Sequence, residues 1–212
     1  MKTLTVYIMF YREMITGKGL VAIVRIIAGE RKGLTLKAVS GLKTRPTTDK
    51  VKESLFNMIG PYFDGGSGLD LYGGSGSLAI EALSRGMGHV VIVDRDRKAI
   101  ATIKANLQSC QYSEQAEVFC NDATRALKAL IKRKLRFSYI FLDPPYARQK
   151  LAEEIRIIDE NGLLTEDGKV VAEHSSTLKL PEAIASSFLW KQESYGDTTI
   201  SIFTKGRGAV ER

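Results

Sequence analysis

The sequence predicts an α/β fold with a doubly wound, mostly parallel sheet, and three observations support this prediction. From residue 69 onward, short apolar segments of strand length alternate with amphipathic segments of helix length, a pattern that places helices on both faces of a parallel sheet. A glycine-rich turn directly follows the first of these strands. With 212 residues and 44% hydrophobic content, the chain can bury one substantial core and carry a small appendage.

The first 64 residues predict a separate amino-terminal part. Residues 23–28 and 34–39 predict two short strands around a polar turn bounded by glycines, which together form a β-hairpin. Residues 50–59 predict a helix with one apolar face. Gly65-Gly66-Ser67-Gly68 predicts a flexible join to the body. We therefore expect three parts: a poorly ordered extension (1–22), a basic hairpin and helix (23–64), and the main domain (65–212).

The main domain contains five predicted strands, three predicted helices and a closing antiparallel hairpin. The strands are 69–72, 89–93, 116–120, 137–142 and 169–173, and the helices are 77–85, 97–107 and 123–132. The hairpin consists of 189–194 and 198–203, which flank the turn Tyr195-Gly196-Asp197.

The positive charge is concentrated near the amino terminus. Residues 1–60 contain eleven Lys or Arg and four Asp or Glu, whereas residues 61–212 contain twenty of each, so the net charge of +7 lies entirely in the first part. Such a density of cations suits a phosphate backbone, although a merely solvated basic face has the same composition. The basic residues between 25 and 52 are Arg25, Arg31, Lys32, Lys37, Lys43, Arg45, Lys50 and Lys52.

The turn after the first predicted strand is suited to holding a ligand. Gly73, Gly74 and Gly76 let the backbone approach a bound group closely, and the amides of the turn can face a negative group. The pattern also satisfies the dinucleotide fingerprint, so alone it fits either NAD or S-adenosylmethionine. Asp70 precedes the turn in the same motif.

Two further acids end neighbouring predicted strands. Asp94 is placed to accept hydrogen bonds from a ribose diol, and Asp122 from an adenine amino group. Because both precede predicted helices, each could instead be a helix cap.

The segment Asp143-Pro144-Pro145-Tyr146 separates these alternatives. It follows an apolar strand, and proline ends that strand because it cannot donate a ladder hydrogen bond. The Asp143 carboxylate and the Pro144 carbonyl could accept both hydrogens of an exocyclic amino group and direct its lone pair at an activated methyl. Tyr146 could stack on the base. Hydride transfer has no use for such a loop, so it favours amine methylation.

Six segments of the chain together form a characteristic set: Arg25–Gly29, Thr44–Thr47, Lys52–Asn57, Asp70–Gly76, Glu81–Gly86 and Asp143–Tyr146. With this set the chain resembles the bacterial 16S rRNA guanine-N2 methyltransferases of the RsmD type over about residues 24–205. Tyr72-Gly73 departs from the Phe-Ala usual in that family, a change that should be tolerated.

The resemblance implies a seven-stranded, Rossmann-like methyltransferase sheet, S-adenosylmethionine as methyl donor, and a guanine of 16S rRNA or of an assembling small ribosomal subunit as acceptor. The implied catalytic segment is Asp143 to Tyr146. The implied cofactor-binding residues are Asp70, Gly73, Gly74, Gly76, Asp94 and Asp122. The expected RNA-binding residues are Arg25, Arg31, Lys32, Lys43 and Arg45.

Three other functions remain open at this point. An adenine-N6 DNA methyltransferase shares the Asp-Pro-Pro-Tyr segment, although no insertion here is large enough to read a DNA sequence. A nicotinamide-dependent oxidoreductase fits the glycine turn only. A non-catalytic RNA-binding protein fits the basic amino-terminal part but leaves the Asp-Pro-Pro-Tyr segment unexplained.

Composition argues against several other classes. Two cysteines and two histidines give neither a disulfide framework nor a Cys-x-x-Cys metal pattern. No apolar run reaches the ~20 residues that span a bilayer. We therefore expect a reduced, cytoplasmic protein without a metal ion or a membrane segment. A monomer is expected as well, although composition does not determine the oligomeric state.

Overall fold

The computed structural model describes residues 24–39, 49–145 and 150–206. The expected extension, Lys43, Arg45 and Tyr146 lie outside these residues. The helices are α1 (Asp49–Ile59), α2 (Ser77–Ser84), α3 (Arg97–Ser109), α4 (Ala123–Lys132) and α5 (Leu151–Glu160). The strands are β1 (Val24–Arg25), β2 (Thr35–Leu36), β3 (Ser67–Asp70), β4 (His89–Asp94), β5 (Ala116–Cys120), β6 (Phe137–Leu142), β7 (Leu164–Ser175), β8 (Ala183–Ile184), β9 (Ser187–Tyr195) and β10 (Thr198–Lys205).

The main sheet is doubly wound, as predicted. Its strand order is β5-β4-β3-β6-β7-β10-β9-β8, in which the first five strands are parallel. Strand β10 pairs antiparallel with both β7 and β9, which confirms the closing hairpin. The fold class is therefore the predicted Rossmann-like one, and strands β1 and β2 form the predicted separate hairpin.

The strand order creates a crevice between β3 and β6. From β3 the chain winds outward to β4 and β5 and then returns to β6 on the other side of β3. The loops after β3 and β6 therefore diverge in opposite directions. In open α/β sheets this switch point is where ligands bind, at the carboxyl ends of the strands.

The amino-terminal hairpin and α1 share a hydrophobic core with the sheet. Val24, Leu36 and Phe56 are buried in the same cluster as Ile92 and Phe141. Helices α2 and α3 also contribute to this cluster, whereas α4 and α5 cover the opposite face of the sheet. The hairpin therefore packs directly onto the body of the protein.

A buried ionic cluster fastens the hairpin to α2. The Glu81 carboxylate accepts hydrogen bonds from the amides of Ile27 (2.8 Å) and Ala28 (3.0 Å). It also pairs with Lys52 Nζ at 3.2 Å and with Arg85 Nε at 2.8 Å. Since Glu81 is fully buried, these donors replace the water that its charge would otherwise need.

Lys52 was counted among the basic residues that suit a phosphate backbone, but the structure buries its side chain. Its side chain is 2% exposed, and its Nζ donates to the Arg25 carbonyl (2.6 Å) and to Ser77 Oγ (3.0 Å). Burial lowers the pKa of Lys52, and Glu81 partly offsets that effect. Lys52 therefore links the hairpin to α2 inside the protein and is not accessible to RNA.

Three details of the sequence-based prediction were wrong. The prediction of a flexible join at 65–68 fails because Ser67 and Gly68 lie in β3, and Gly65 N donates to Gly86 O at 3.0 Å. Helix α5 was missed, and its buried residues Leu151, Ile155 and Ile158 have helical spacing. The sheet has an eighth strand, because the two-residue β8 extends the edge beyond β9.

Candidate active site

The glycine turn lies at the carboxyl end of β3 and begins helix α2. Gly73 N donates to Val93 O (2.8 Å) and Gly76 N donates to Gly73 O (2.6 Å). A Cβ at Gly73 would lie 2.5 Å from Ile92 Cγ2, so glycine fits here as the chain is packed, and an alanine would require Ile92 to shift. Gly76 has φ +82° and precedes α2 without a capping side chain. Because Gly76 has no capping side chain, the amides of Ser77 and Leu78 at the start of α2 are suited to a polar ligand, whereas the Ala79 amide bonds Asp70.

Asp94 is held against the glycine turn. Its Oδ2 accepts a hydrogen bond from Gly74 N and its Oδ1 accepts one from Asp96 N, both at 2.8 Å. The cap of α3 is Asp96, whose side chain accepts from Lys98 N. The interpretation of Asp94 as a helix cap is therefore wrong, and its half-buried carboxylate lies at the edge of the crevice.

Asp122 does cap a helix. Its carboxylate accepts from Arg125 N at 3.0 Å and lies 3.3 Å from Arg125 Nε. The side chain remains 45% exposed. Capping leaves part of the carboxylate accessible, so the predicted contact with an adenine amino group remains compatible with the structure and stays a prediction.

Asp70 lies beneath the turn, with 2% of its surface exposed. Its Oδ1 accepts from Tyr72 N at 3.3 Å. Burial raises the pKa of Asp70 to about 7, and the charge of Asp94 adds to this, while the amides of Tyr72 and Ala79 act in the opposite direction. Asp70 is therefore a buried support of the turn.

Asp143 follows β6 on the other side of the switch point. It is half-buried, Pro144 is buried and Pro145 is exposed. Burial raises the pKa of Asp143 well above its usual range, and the negative charges of Glu173 and Asp70 raise it further. The structure thus brings the glycine turn, Asp94 and Asp143 to the same edge of the sheet, with Asp70 buried beneath the turn.

Glu173 is a residue of this crevice that the sequence reasoning missed. It is buried near the carboxyl end of β7, the strand beside β6. The available signal was a single acid after the apolar residues Val170-Val171-Ala172. An acid in a buried strand is costly unless it has a partner or a function.

The basic residues of the amino-terminal hairpin have different surroundings. Arg31 turns back onto the body, where its Nε donates to Cys110 O (3.0 Å) and its Nη2 donates to Gln111 Oε1 (3.1 Å). The Arg25 side chain is 59% exposed and pairs with Asp49, and Lys32 is exposed. Of the expected RNA-binding residues, Arg25 and Lys32 are thus accessible, and Arg31 attaches the turn to the body.

Metal-binding clusters and membrane-spanning helices are both absent from the described residues. Within residues 24–39, 49–145 and 150–206, no group of three or more His, Cys, Asp or Glu side chains could hold a metal ion. No helix in those same ranges is both long and apolar enough to cross a bilayer.

Comparison with known proteins identifies the family. Residues 24–204 match the model of the family described as Conserved hypothetical protein 95. The putative rRNA methyltransferase YlbH of Bacillus subtilis is 56% identical over 181 residues, which are 85% of this chain and 98% of that protein. The Escherichia coli ribosomal RNA small subunit methyltransferase D is 29% identical over 182 residues, which are 86% of this chain and 90% of that protein.

A solved structure agrees with this result. The putative methyltransferase yhhF from Escherichia coli superposes with a TM-score of 0.75 at 30% identity, covering 88% of this chain and 100% of that one. The glycine turn and the Asp-Pro-Pro segment thus occur in a chain whose fold and sequence both match known methyltransferases. This chain therefore belongs to the RsmD-type rRNA methyltransferase family, described as Conserved hypothetical protein 95.

Proposed function

We propose that this protein transfers a methyl group from S-adenosylmethionine to the N2 amino group of a guanine in 16S rRNA. The observation that carries the proposal is the position of Asp143, which follows β6 at the switch point, beside the strand β3 that the glycine turn follows. Family membership supports rRNA as the substrate, since the relatives are named as rRNA methyltransferases. It also favours methyl transfer over hydride transfer to a nicotinamide.

The residues around β3 and β4 fit the donor. Gly73 lets the turn pack closely against Ile92, and the amides of Ser77 and Leu78 at the start of α2 can donate hydrogen bonds to a polar ligand. Asp94 is placed to accept hydrogen bonds from ribose hydroxyls, and Asp122 from the adenine amino group. S-adenosylmethionine supplies an electrophilic methyl group on a sulfonium centre.

The residues after β6 activate the acceptor. An exocyclic amino nitrogen is a weak nucleophile, because its lone pair is delocalised into the ring. The Asp143 carboxylate and the Pro144 carbonyl accept its two hydrogens, which favours a pyramidal nitrogen with its lone pair directed at the methyl group. The carboxylate then stabilises the positive charge that develops on nitrogen, and the methylated nitrogen afterwards loses one proton to solvent. Tyr146, outside the described residues, is expected to stack on the base.

Nucleoside analysis provides the decisive test of the substrate. Mass spectrometry of rRNA from cells with and without the gene should reveal N2-methylguanosine that is present only with the gene. Incubating the purified protein with defined RNA and DNA substrates side by side separates this activity from adenine-N6 DNA methylation. Methylation of DNA adenine alone would contradict the proposal.

Replacing Asp94 with alanine should weaken donor binding on the order of tenfold or more, because a charged acceptor for the ribose is lost. The change also removes the acceptor of the Gly74 amide, so the turn loses a restraint. Calorimetry with S-adenosylhomocysteine measures the effect. Asp64→Ala, at an exposed acid, is the matched control. Equal affinities of the two variants would remove Asp94 from the donor site.

Reversing the charge of Lys32 should reduce the salt dependence of RNA binding. On a single strand, removing one cation from a phosphate lowers the slope of log K against log salt concentration by ~0.7. Lys32 is preferable to Arg31 for this test, because Arg31 makes structural contacts with Cys110 and Gln111. Lys128→Glu, on the exposed side of α4, is the control. If Lys32→Glu leaves the slope at its original value, the RNA lies elsewhere.

A further inference from the structure

Glu173 is a buried acid beside Asp143 to which the mechanism above gives no role. It is 7% exposed and lies in β7, directly beside β6. The parallel register places Leu142 next to Ala172. Asp143 and Glu173 are therefore the next pair of residues along these two strands, which lie about 4.8 Å apart in a sheet.

The two acids also belong to the same face of the sheet. Phe141 and Val171 are buried in the cluster beneath α1, whereas Leu142 and Ala172 are buried in the cluster on the opposite face. Side chains alternate along a strand, so Asp143 and Glu173 return to the face of Phe141 and Val171. The influence of Glu173 on the pKa of Asp143 agrees with this proximity.

The next residue, His174, is directed away from the crevice. Its Nε2 lies 2.8 Å from Ser201 Oγ, and its Nδ1 lies 2.9 Å from Ser175 O. Within the described part of β7, Glu173 is thus the ionisable side chain at the level of Asp143.

A base with donors at adjacent positions matches two adjacent carboxylates. Guanine presents its N2 amino group next to N1–H, so two adjacent positions of the base are both hydrogen-bond donors. Adenine presents its amino group next to N1, which carries a lone pair and no hydrogen. A carboxylate beside Asp143 would accept from the former and repel the latter.

We propose that Glu173 accepts the N1–H of the target guanine while Asp143 holds its N2 amino group, so that Glu173 selects against bases whose N1 is an acceptor. This inference rests on the proposed function and extends it to base selection. The arrangement is selective because a base without N1–H leaves a buried carboxylate facing a lone pair, and a site built for a hydrogen bond rejects an analogue that lacks it.

The test uses a synthetic RNA whose methylated guanine, first mapped with the unaltered protein, is replaced by 2-aminopurine. This base keeps the 2-amino group but has an unprotonated N1. The unaltered protein should prefer guanine over 2-aminopurine by about 10- to 100-fold in kcat/KM. Glu173→Gln should largely abolish that preference, because its amide can donate to N1 of 2-aminopurine or accept from N1–H of guanine.

Glu166→Gln is the matched control, since it makes the same change at an exposed position of the same strand. It should keep the preference of the unaltered protein. Equal rates of the unaltered protein on guanine and 2-aminopurine would overturn the inference even if Glu173→Gln does not fold. An unchanged preference in a folded Glu173→Gln protein would overturn it as well. Failure to methylate any guanine would instead contradict the proposed function.

Discussion

Replacing Asp143 with alanine is expected to lower kcat about a hundredfold or more while donor binding stays nearly unchanged. In the proposed mechanism the carboxylate orients the amino group and faces the charge that develops on nitrogen, and losing such an acceptor costs on the order of 3 kcal/mol in the transition state. The residues proposed to bind the donor follow β3 or end β4 instead. Single-turnover methylation of rRNA and calorimetry with S-adenosylhomocysteine measure the two quantities.

Asp143→Asn and the pH profile refine this test. Asparagine keeps an acceptor oxygen but carries no charge, so its rate should lie between those of the unaltered protein and the alanine variant. Because the working form of Asp143 is the carboxylate and its pKa is raised, the unaltered rate should fall as the pH drops through that elevated pKa. The rate of the Asp143→Asn variant should not show this decrease at low pH. Full turnover by Asp143→Ala would exclude the acceptor role.

Replacing Glu81 with alanine should lower the free energy of unfolding by about 3 to 5 kcal/mol, the usual cost of removing one partner from a buried ion pair. The change leaves Lys52 and Arg85 as buried cations without their shared carboxylate. It also deprives the Ile27 and Ala28 amides of their acceptor. Urea unfolding followed by circular dichroism measures the loss.

Glu160→Ala provides the comparison for Glu81, because Glu160 is an exposed glutamate at the end of α5. A surface change of this kind usually stays within about 0.5 kcal/mol. Glu81→Gln should fall between the two, since it keeps the volume and one acceptor oxygen but removes the charge. A loss for Glu81→Ala as small as that of the control would mean that the cluster adds nothing to stability.

The sheet could be predicted because its strands are apolar runs separated by glycine and proline. Strands β5 and β6 and helix α4 have the predicted bounds, since each is bordered by a clear change of pattern. Helix α5 has helical spacing but begins soon after the Asp-Pro-Pro-Tyr segment, whose loop pattern hides the start of the helix. Strand β8 has only two residues, too few for any periodicity to appear.

The site could be predicted in part, for a different reason. Asp94 and Asp143 end strands, so the position of the strand fixes the position of the acid. Burial of charged residues has no such signal, because Lys52 and Arg31 look in sequence like the exposed Lys32. Only the fold shows that Lys52 pairs with the Glu81 carboxylate and donates to the Arg25 carbonyl. In the same way, only the fold shows that Arg31 donates to the Cys110 carbonyl.

Helix α2 has a geometric consequence for how rRNA could be positioned. Its first residue follows the glycine turn, and its last residue, Ser84, accepts a hydrogen bond from Glu30 N and bonds Arg31 N in the basic hairpin turn. Eight residues of helix span about 12 Å, roughly the rise of three to four stacked nucleotides. An RNA strand bound at the hairpin would thus reach the reaction centre at a fixed distance, which is set by the length of α2.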